Sequence, residues 1–310
     1  MADDFHAIGD LVADGLDLSG AEISNILDSA PFVAAMPFVE SSDGISHKYI
    51  TETANPTVAF RAPNAGRNMD SSTDAVITAT LTFLDFSFAT DKAVADAWNK
   101  GPEDYIAREG LRHIRAALAT LETQIINDTD ASNGFTGFAG LTTLDAAADA
   151  MVLDAGGTSA GTGSSAYLVR LGEMDGVAAV YKGDGPVMSL GDTIVQDLVA
   201  GTDEHYPAYY TPAGAWFGLQ AGGSYSISRI ASLTEDASAG LTDDDISEAI
   251  ALHPIDQRPN IIVCNRRSLR QLQQSRTATN PTGAPAPIPD EAFGIPIVVS
   301  DSILNTETLL

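Results

Sequence analysis

The stretch PEDYIAREGLRHIRAALATLETQII, residues 102–126, carries the clearest structural signal in the sequence. Pro102 suits the first turn of a helix, and Glu103 and Asp104 complement the helix dipole there. Apolar residues then recur at steps of three and four, namely Leu111, Ile114, Leu118, Leu121 and Ile125. This spacing predicts one amphipathic helix, about 36 Å long, with a single apolar stripe.

Upstream of this helix, residues 46–90 predict a long β-hairpin. The first strand is expected over His47–Phe60 and the second over Val76–Phe88. In the second strand the apolar alternation changes phase after Phe83, which fits a bulge or a strand that moves from one environment to another. Residues 61–72 form a turn-rich tip between the strands. Because a lone hairpin is marginally stable in water, a protruding one suggests that it rests on another subunit.

The rest of the chain predicts an α+β architecture without internal repeats. Residues 1–45 are expected to form an extended arm with one helix over Ser19–Leu27, where Ser19 and Glu22 make a capping box. Residues 135–240 are expected to be mostly strands and turns. The later predicted elements are a helix over Ile246–Leu252 capped by Thr242 or Asp243, a strand over Asn260–Val263, a helix over Arg267–Gln274, an exposed and mobile loop over residues 277–290, and a strand over Ile295–Val299.

The composition is that of a globular protein with an unusually acidic surface. The 310 residues are 44% hydrophobic and 19% charged, and the formal net charge is -26. Such a surface repels phosphate, so we expect no basic face that grips nucleic acid. The sequence contains no run of 18 apolar residues and begins without a signal-peptide pattern, so we expect neither a membrane span nor secretion. The single cysteine, Cys264, predicts a buried, inert thiol and excludes an intrachain disulfide.

Three short motifs could carry chemistry, and each has a simpler structural interpretation. Gly157-Thr-Ser-Ala-Gly161 matches the nucleophile elbow of serine hydrolases, but a strand rather than a helix is expected after it. Gly161–Ala166 partly matches a dinucleotide fingerprint and lacks the same helix. Asp128–Gly134 resembles a calcium loop in which the glycine comes one position late. We therefore expect a flexible glycine loop, helix-capping carboxylates at Asp243–Asp245, and no catalytic, cofactor-binding or metal-binding residues.

The order of the predicted elements resembles the capsid fold of tailed phages, the Hong Kong 97 type. Several local strings resemble segments of that family, and it is their order that is specific. They are Asn55–Arg61 with Asn64–Gly66, Val152–Thr158, Ser165–Gly172, Val180–Gly183, Asn260–Arg266 with Leu269, and Phe293–Ile297 with Asp301–Glu307. The resemblance covers nearly the whole chain. It implies a major capsid protein of a tailed double-stranded DNA virus, a structural protein rather than an enzyme.

By this resemblance the chain divides into four parts. They are an N-terminal arm (1–45), an extended loop (46–90), a peripheral domain (91–135 and 286–310) with a spine helix over 102–126, and an axial domain (136–285). The extended loop would lie on a neighbouring subunit, and the last strand would return to the peripheral domain. The residues expected to make inter-subunit contacts are Asn55, Pro56, Phe60, Arg61, Asn64 and Arg67. Few lysines occur in this loop, so nothing supports the covalent cross-linking that some members perform.

The resemblance also implies partners and a location. The chain would join copies of itself in pentamers and hexamers, work with portal, scaffolding and decoration proteins, and enclose DNA in the virion after assembly in the host cytoplasm. Three alternatives remain open at this point. One is an encapsulin-like nanocompartment, which shares the fold but encloses protein cargo. The others are a serine hydrolase using Ser159, and a tail or decoration protein, which would usually lack the long spine helix.

The acidity leads to a first testable prediction. High acidity with few lysines is typical of proteins adapted to salt, in which mutual repulsion of carboxylates is screened. We therefore expect the melting temperature of the chain to rise between low and molar salt, as measured by thermal denaturation. A melting temperature that does not rise would leave the ordinary interpretation, an acidic surface that functions at moderate ionic strength.

Overall fold

The computed structural model describes residues 26–54, 56–67, 69–128, 140–142, 151–183, 187–199, 204–223, 225–236, 238–280 and 284–310. Three sequence-based expectations fall wholly or largely on other residues. They are the helix over Ser19–Leu27 with most of the arm, the calcium-like segment beyond Asp128, and the contact residue Asn55.

The described part contains five helices and sixteen strands. The helices are α1 (Pro31–Ala35), α2 (Lys92–Asp96), α3 (Pro102–Asn127), α4 (Asp243–Ala251) and α5 (Arg266–Ala278). The strands are β1 (Phe38–Glu40), β2 (Ser46–Ala54), β3 (Thr73–Thr80), β4 (Thr82–Asp85), β5 (Phe88–Asp91), β6 (Val152–Asp154), β7 (Ser164–Val169), β8 (Val177–Tyr181), β9 (Ser189–Leu190), β10 (Ile194–Val199), β11 (His205–Thr211), β12 (Ala213–Ala221), β13 (Ile227–Leu233), β14 (Ile261–Cys264), β15 (Glu291–Ala292) and β16 (Ile295–Val299).

A mixed six-stranded sheet forms the centre of the molecule, in the order β15-β16-β14-β7-β13-β6. Its middle strand β7 is buried at every residue. Tyr167 and Val169 enter a core that contains the apolar stripe of α3, while Ala166 and Leu168 enter a second core with α4 and α5. Because successive side chains of a strand point to opposite faces, β7 holds helices on both sides of the sheet.

The long helix α3 matches its prediction closely. Gly101 precedes it with a φ of 94°, Pro102 starts it, and Asp128 ends it in the left-handed conformation. Four residues of the predicted stripe are buried, namely Ile114, Leu118, Leu121 and Ile125. Each such side chain contributes about 2 kcal/mol relative to an exposed position. The same core takes in β8 and β12 of a second sheet, ordered β1-β8-β12-β4 with β9 beside β12.

The predicted second hairpin strand is three strands in the structure. β3 pairs with β2, β4 pairs with β12, and β5 pairs with β11. Leu81 is buried at the first break, and its N–H donates to the carbonyl of Ile45. The phase change in the sequence therefore reflects a chain that passes from one sheet to the next, as one of the two explanations proposed.

Other boundaries differ from the prediction for local reasons. The first hairpin strand ends at Ala54 rather than at Phe60, because Pro56 cannot donate to a ladder. Helix α5 covers Arg266–Ala278 and is longer at both ends than the predicted Arg267–Gln274. Its start is set by Asn265, which caps the helix by accepting the Ser268 N–H at 2.8 Å. The predicted loop over 277–290 consequently begins later. Helix α4 is capped by Thr242, in a capping box with Asp245.

The last strand was expected to return to the unit of the long helix, and in the structure it joins the central sheet, one face of which packs against that helix. β16 pairs with β14 in parallel, within the central sheet. Val298 of β16 packs against the core that holds the apolar stripe of α3. After β16 the chain reaches the end of α3, where Asn127 donates its side-chain N–H to the Ser302 carbonyl at 2.8 Å. The hydrophobic pattern of Ile295–Val299 indicates a strand but cannot say which strand it will pair with.

A buried carboxylate on α3 joins both ends of the described chain. Glu122 accepts the N–H groups of Phe32 and Val33 at 2.8 and 3.2 Å, and also the hydroxyl of Ser300. Burial raises the pKa of Glu122, although these hydrogen bonds act in the opposite direction. Since the folded-state pKa lies above the ordinary value of 4.5, the group favours folding most at low pH. Its contribution is lost as the pH rises through the folded-state pKa.

Substitutions at Glu122 should reveal this linkage. Glu122→Ala should cost about 3 kcal/mol of unfolding free energy, because two buried N–H groups lose their acceptor. Glu122→Gln retains one acceptor oxygen and should cost less at neutral pH. As the pH falls towards 4.5, wild type should gain stability relative to Glu122→Gln, which has no proton to bind. Urea unfolding at several pH values measures both effects, with exposed Glu103→Gln as the control. A pH-independent difference would contradict the linkage.

Candidate assembly interface

Strands β2 and β3 form a hairpin that stands apart from the other sheets. We call residues 46–80 the first hairpin. Its pairs run from Ser46 and Thr80 at the base to Ala54 and Thr73 near the tip. The two strands make a sheet of their own in the described structure. Both outer edges of this two-stranded sheet are therefore open to further hydrogen bonding.

The base of the first hairpin is fixed by a buried histidine. The His47 Nε2 atom lies 2.8 Å from the Gln220 Oε1 atom. The Gln220 side-chain N–H donates to the carbonyls of Glu173 and Met174 at 2.9 and 3.1 Å. Because the Gln220 nitrogen is engaged as a donor, its oxygen accepts and His47 Nε2 donates. The hairpin is thus tied to the end of β12.

Neighbouring side chains of β2 extend this attachment. Tyr49 is buried beside His47 with its ring stacked on the imidazole, and its hydroxyl accepts the Ala221 N–H at 3.5 Å. Burial raises the pKa of Tyr49. Thr51, two residues further along β2, is also buried. Beyond it, the described residues from Ala54 to Thr78 are exposed wherever their burial is defined, so the hairpin is attached at its base alone.

The tip of the hairpin is ordered by its own polar groups. Arg61 donates from Nη1 to the Ala65 carbonyl at 3.1 Å, and Asn64 between them has a φ of 65°. The Thr57 N–H donates to Asp70 across the tip at 3.3 Å, and this bond is the main reason why the pKa of Asp70 is lowered. The tip therefore has a defined shape without contacts to the rest of its own chain.

Large apolar side chains are exposed on this tip. Phe60 is fully exposed, and Val58 and Met69 are 79% and 95% exposed. Burying a side chain of this size contributes about 1.5–3 kcal/mol. An ordered tip that leaves three such side chains in water is typical of a surface that another protein covers.

The structure brings the described contact candidates together. Pro56, Phe60, Arg61, Asn64 and Arg67 all lie on the exposed tip. Asn55 lies outside the described residues. Contacts of these side chains with a neighbouring subunit stay a prediction.

A second projecting element was missed in the sequence analysis. β10 and β11 pair from Ile194 and Tyr210 to Val199 and His205, and we call residues 191–211 the second hairpin. β10 is the outer strand of the sheet β10-β11-β5 and carries exposed apolar side chains. They are Ile194, Val195 and Val199, which are 50–57% exposed. The β-branched and apolar residues of 194–199, followed in the sequence by Gly201-Thr-Asp-Glu204, were a usable signal for a strand and a turn.

Ser159 sits in a structural clamp rather than a nucleophile elbow. Its hydroxyl donates to Asp236 at 2.6 Å, and the Thr158 N–H and Thr234 hydroxyl each donate to the same carboxylate at 3.0 Å. These hydrogen bonds, above all that from Ser159, lower the pKa of Asp236. The chain then continues through Gly161 into a strand, β7, where an elbow needs a helix.

The buried histidine that follows α4 is also in a structural role. His253 lies 3.0 Å from the Tyr225 carbonyl and 2.9 Å from the Ser228 hydroxyl, and burial lowers its pKa. The geometry therefore gives no support to a hydrolase that uses Ser159. The dinucleotide interpretation of the glycine loop needs a helix after the loop, and the strand β7 follows it instead.

Other candidate chemical groups also have structural surroundings. Cys264 is fully buried, and burial raises the pKa of its thiol to about 12. Asp243–Asp245 lie in the first turn of α4, where carboxylates complement the helix dipole. Within the described ranges, no three histidine, cysteine, aspartate or glutamate side chains are grouped as metal ligands would be. In the same ranges, no helix is both long and apolar enough to cross a bilayer.

Removing Gln220 should loosen the first hairpin selectively. Gln220→Ala leaves His47 Nε2 and the Glu173 and Met174 carbonyls without their partner, so the variant should lose about 1–3 kcal/mol locally. Hydrogen exchange in residues 46–54 should accelerate while α3 keeps its protection. Gln274→Ala, on α5, is the matched control and should leave the hairpin unchanged. Equal exchange of residues 46–54 in both variants would show that Gln220 does not anchor the base.

Comparison with known proteins adds to this geometry. The family model described as major capsid protein GP7 matches residues 17–310. No curated protein matches the sequence significantly. Among solved structures, bacteriophage Epsilon15 is similar at 22% identity and a TM-score of 0.61, covering 87% of this chain and 86% of that one. This likeness shows the fold.

Two further structures are more distant. The procapsid of bacteriophage JBD30 is 11% identical with a TM-score of 0.41, covering 92% of this chain and 100% of that one. The SrpI encapsulin complex from Synechococcus elongatus is 12% identical with a TM-score of 0.44, covering 66% and 88%. At such scores neither carries an argument, so the family match decides between a capsid and a protein-filled compartment. The chain belongs to the family of the major capsid protein GP7 and has the Hong Kong 97-type fold of tailed-phage capsids.

Proposed function

We propose that copies of this chain assemble through pentamers and hexamers into an icosahedral shell that encloses a double-stranded DNA genome. The observation that carries the proposal is the first hairpin, which is ordered, apolar at its tip and attached to its own subunit at the base alone. Head-to-tail contacts between identical subunits close into rings when the rotation between them allows it. A hairpin that projects onto the next copy is such a contact.

The division of the chain forms part of the proposal. Residues 1–45 serve as an arm and residues 46–90 as the extended loop over a neighbour. Residues 91–135 and 286–310 make a peripheral domain around α3, and residues 136–285 make the axial domain. The peripheral and axial parts share the central sheet, because β16 pairs with β14.

The contact with the neighbour involves the tip. Phe60 supplies exposed apolar surface, while Arg61 and Arg67 supply positive charge. Asn55, Pro56 and Asn64 complete the set expected from the sequence. Phe60 directly precedes the ordered segment from Arg61 to Ala65, so part of the backbone near it is already fixed before contact with a neighbour.

The net charge of -26 supports a shell that encloses DNA without binding its phosphates electrostatically. Facing carboxylates repel phosphates, so the genome is confined by enclosure rather than by a basic inner face. We include portal, scaffolding and decoration proteins as partners, and the host cytoplasm as the place of assembly.

Expression of the chain alone, followed by negative-stain electron microscopy at several salt concentrations, tests the proposal. We expect closed shells or rings of five and six subunits. A chain that stays monomeric at every salt concentration, alone and in lysate from phage-producing cells, would contradict it.

Deleting residues 55–75 should separate folding from assembly. These residues lie beyond the anchored base, so the subunit should remain soluble with the thermal unfolding of its core little changed. It should nevertheless form no stable shells, because the contact with the neighbour is lost. Ile288→Ser, which alters another exposed apolar side chain, is the control and should assemble. Normal particles from the deletion variant would refute the role of the hairpin.

A further inference from the structure

We propose that the tip of the first hairpin docks on the open edge of β10 in the second hairpin of a neighbouring copy. This inference rests on the proposed function and deepens it by naming the acceptor surface. It is carried by the opposite charges of the two projecting hairpins, by the exposed apolar side chains on both, and by the unpaired edge of β10.

The tip is a positive segment in a strongly negative chain. Residues 56–70 contain Arg61 and Arg67 and a single carboxylate, Asp70, which accepts the Thr57 N–H, although acidic residues outnumber basic ones by 42 to 16 in the whole sequence. Arg61 and Arg67 are exposed. A surface that approaches other copies of this chain meets carboxylates nearly everywhere, so positive charge at this point directs the encounter.

The second hairpin has the complementary charge. Residues 191–211 contain four carboxylates and neither lysine nor arginine. Asp192 and Asp197 are exposed on β10 or directly before it. Lys92, which lies under the Tyr209 ring, already forms an ion pair with Asp96 at 2.5 Å. The acceptor surface is therefore negative where the tip is positive.

The backbone of β10 adds a hydrogen-bonding edge. In the described structure β10 pairs with β11 on one side, and its other side faces no strand. An edge strand with exposed apolar residues normally invites pairing with a further strand. Asp192 and Asp197 would disfavour the pairing of two β10 edges through repulsion of like charges, whereas a tip with two arginines is accepted. The same carboxylates thus exclude one partner and select another.

The partner must be a different copy. Within one copy, the described tip residues 56–67 are exposed throughout, so the second hairpin of the same chain does not cover them. Strand β12 begins at Ala213, two residues after the second hairpin ends at Thr211. The first hairpin is held at the other end of β12, against Gln220 and Ala221. The two hairpins consequently project from opposite ends of β12, which suits a contact that runs from one subunit to the next.

Charge reversal tests the contact in the full-length chain. The tip variant carries Arg61→Glu and Arg67→Glu, and the edge variant carries Asp192→Arg and Asp197→Arg. Each should lower the yield of shells by about tenfold or more, because like charges then face each other. The chain with all four substitutions should return to about the wild-type yield. Sucrose-gradient sedimentation and electron microscopy measure the yield.

A matched control separates this contact from net charge. Lys100→Glu with Arg258→Glu changes the net charge by the same amount as the tip variant, at two exposed positions outside the hairpins, and should keep shell formation near the wild-type level. An equal loss from the control pair, or no rescue in the fourfold variant, would overturn the proposal. If wild-type chains fail to assemble at all, the proposed function itself fails, and the docking contact with it.

Cross-linking gives a second measurement that does not depend on assembly yield. Mixed chains carrying Phe60→Cys and Val195→Cys respectively should form a disulfide-linked dimer on mild oxidation, while Cys264 stays protected by burial. Each cysteine variant oxidised alone should give little dimer. Shells that form from the mixture without the cross-link, or with equal cross-linking in either variant alone, would contradict docking of the tip on β10.

Discussion

The fold depends on one strand that is buried on both faces. β7 presents Tyr167 and Val169 to the long helix and Ala166 and Leu168 to α4 and α5. A shift of its register by one residue would exchange these two sets and disrupt both cores together. The central sheet, the long helix and the outer helices therefore have a single consistent arrangement, and the two hairpins project from a rigid body.

Sequence reasoning succeeded where the signal is local. The apolar stripe from Leu111 to Ile125 is a property of one helix, and α3 has nearly the predicted bounds. It succeeded less where partners are distant in the chain. The strand at Ile295 is evident from its own residues, but its pairing with β14 is not, because that partner lies more than 30 residues earlier in the chain. The sequence analysis did not single out Glu122, because its partners lie about 90 residues before it and 178 residues after it.

The distribution of charge shapes how copies of this chain can meet. At least seven ion pairs in the described residues already occupy basic side chains within the subunit, including the bidentate pair of Arg276 with Asp243. Basic side chains are few in this sequence, 16 against 42 acidic ones. The proposed contact of the hairpin tip would give so acidic a protein a directional way to recognise itself, where uniform acidity would give repulsion alone.

The Glu122 carboxylate also orders the events of biosynthesis. Its hydrogen bonds include one from Ser300, 178 residues further along the chain, so during translation the buried acid lacks this partner until Ser300 has left the ribosome. Until then, Glu122 has only the N–H groups of Phe32 and Val33 to offset the free-energy cost of burying its carboxylate. In unfinished chains the contact between α1 and α3 is therefore less stable than in finished chains. A capsid assembled from copies of one chain gains from such a checkpoint, because truncated polypeptides stay conformationally distinct from competent subunits.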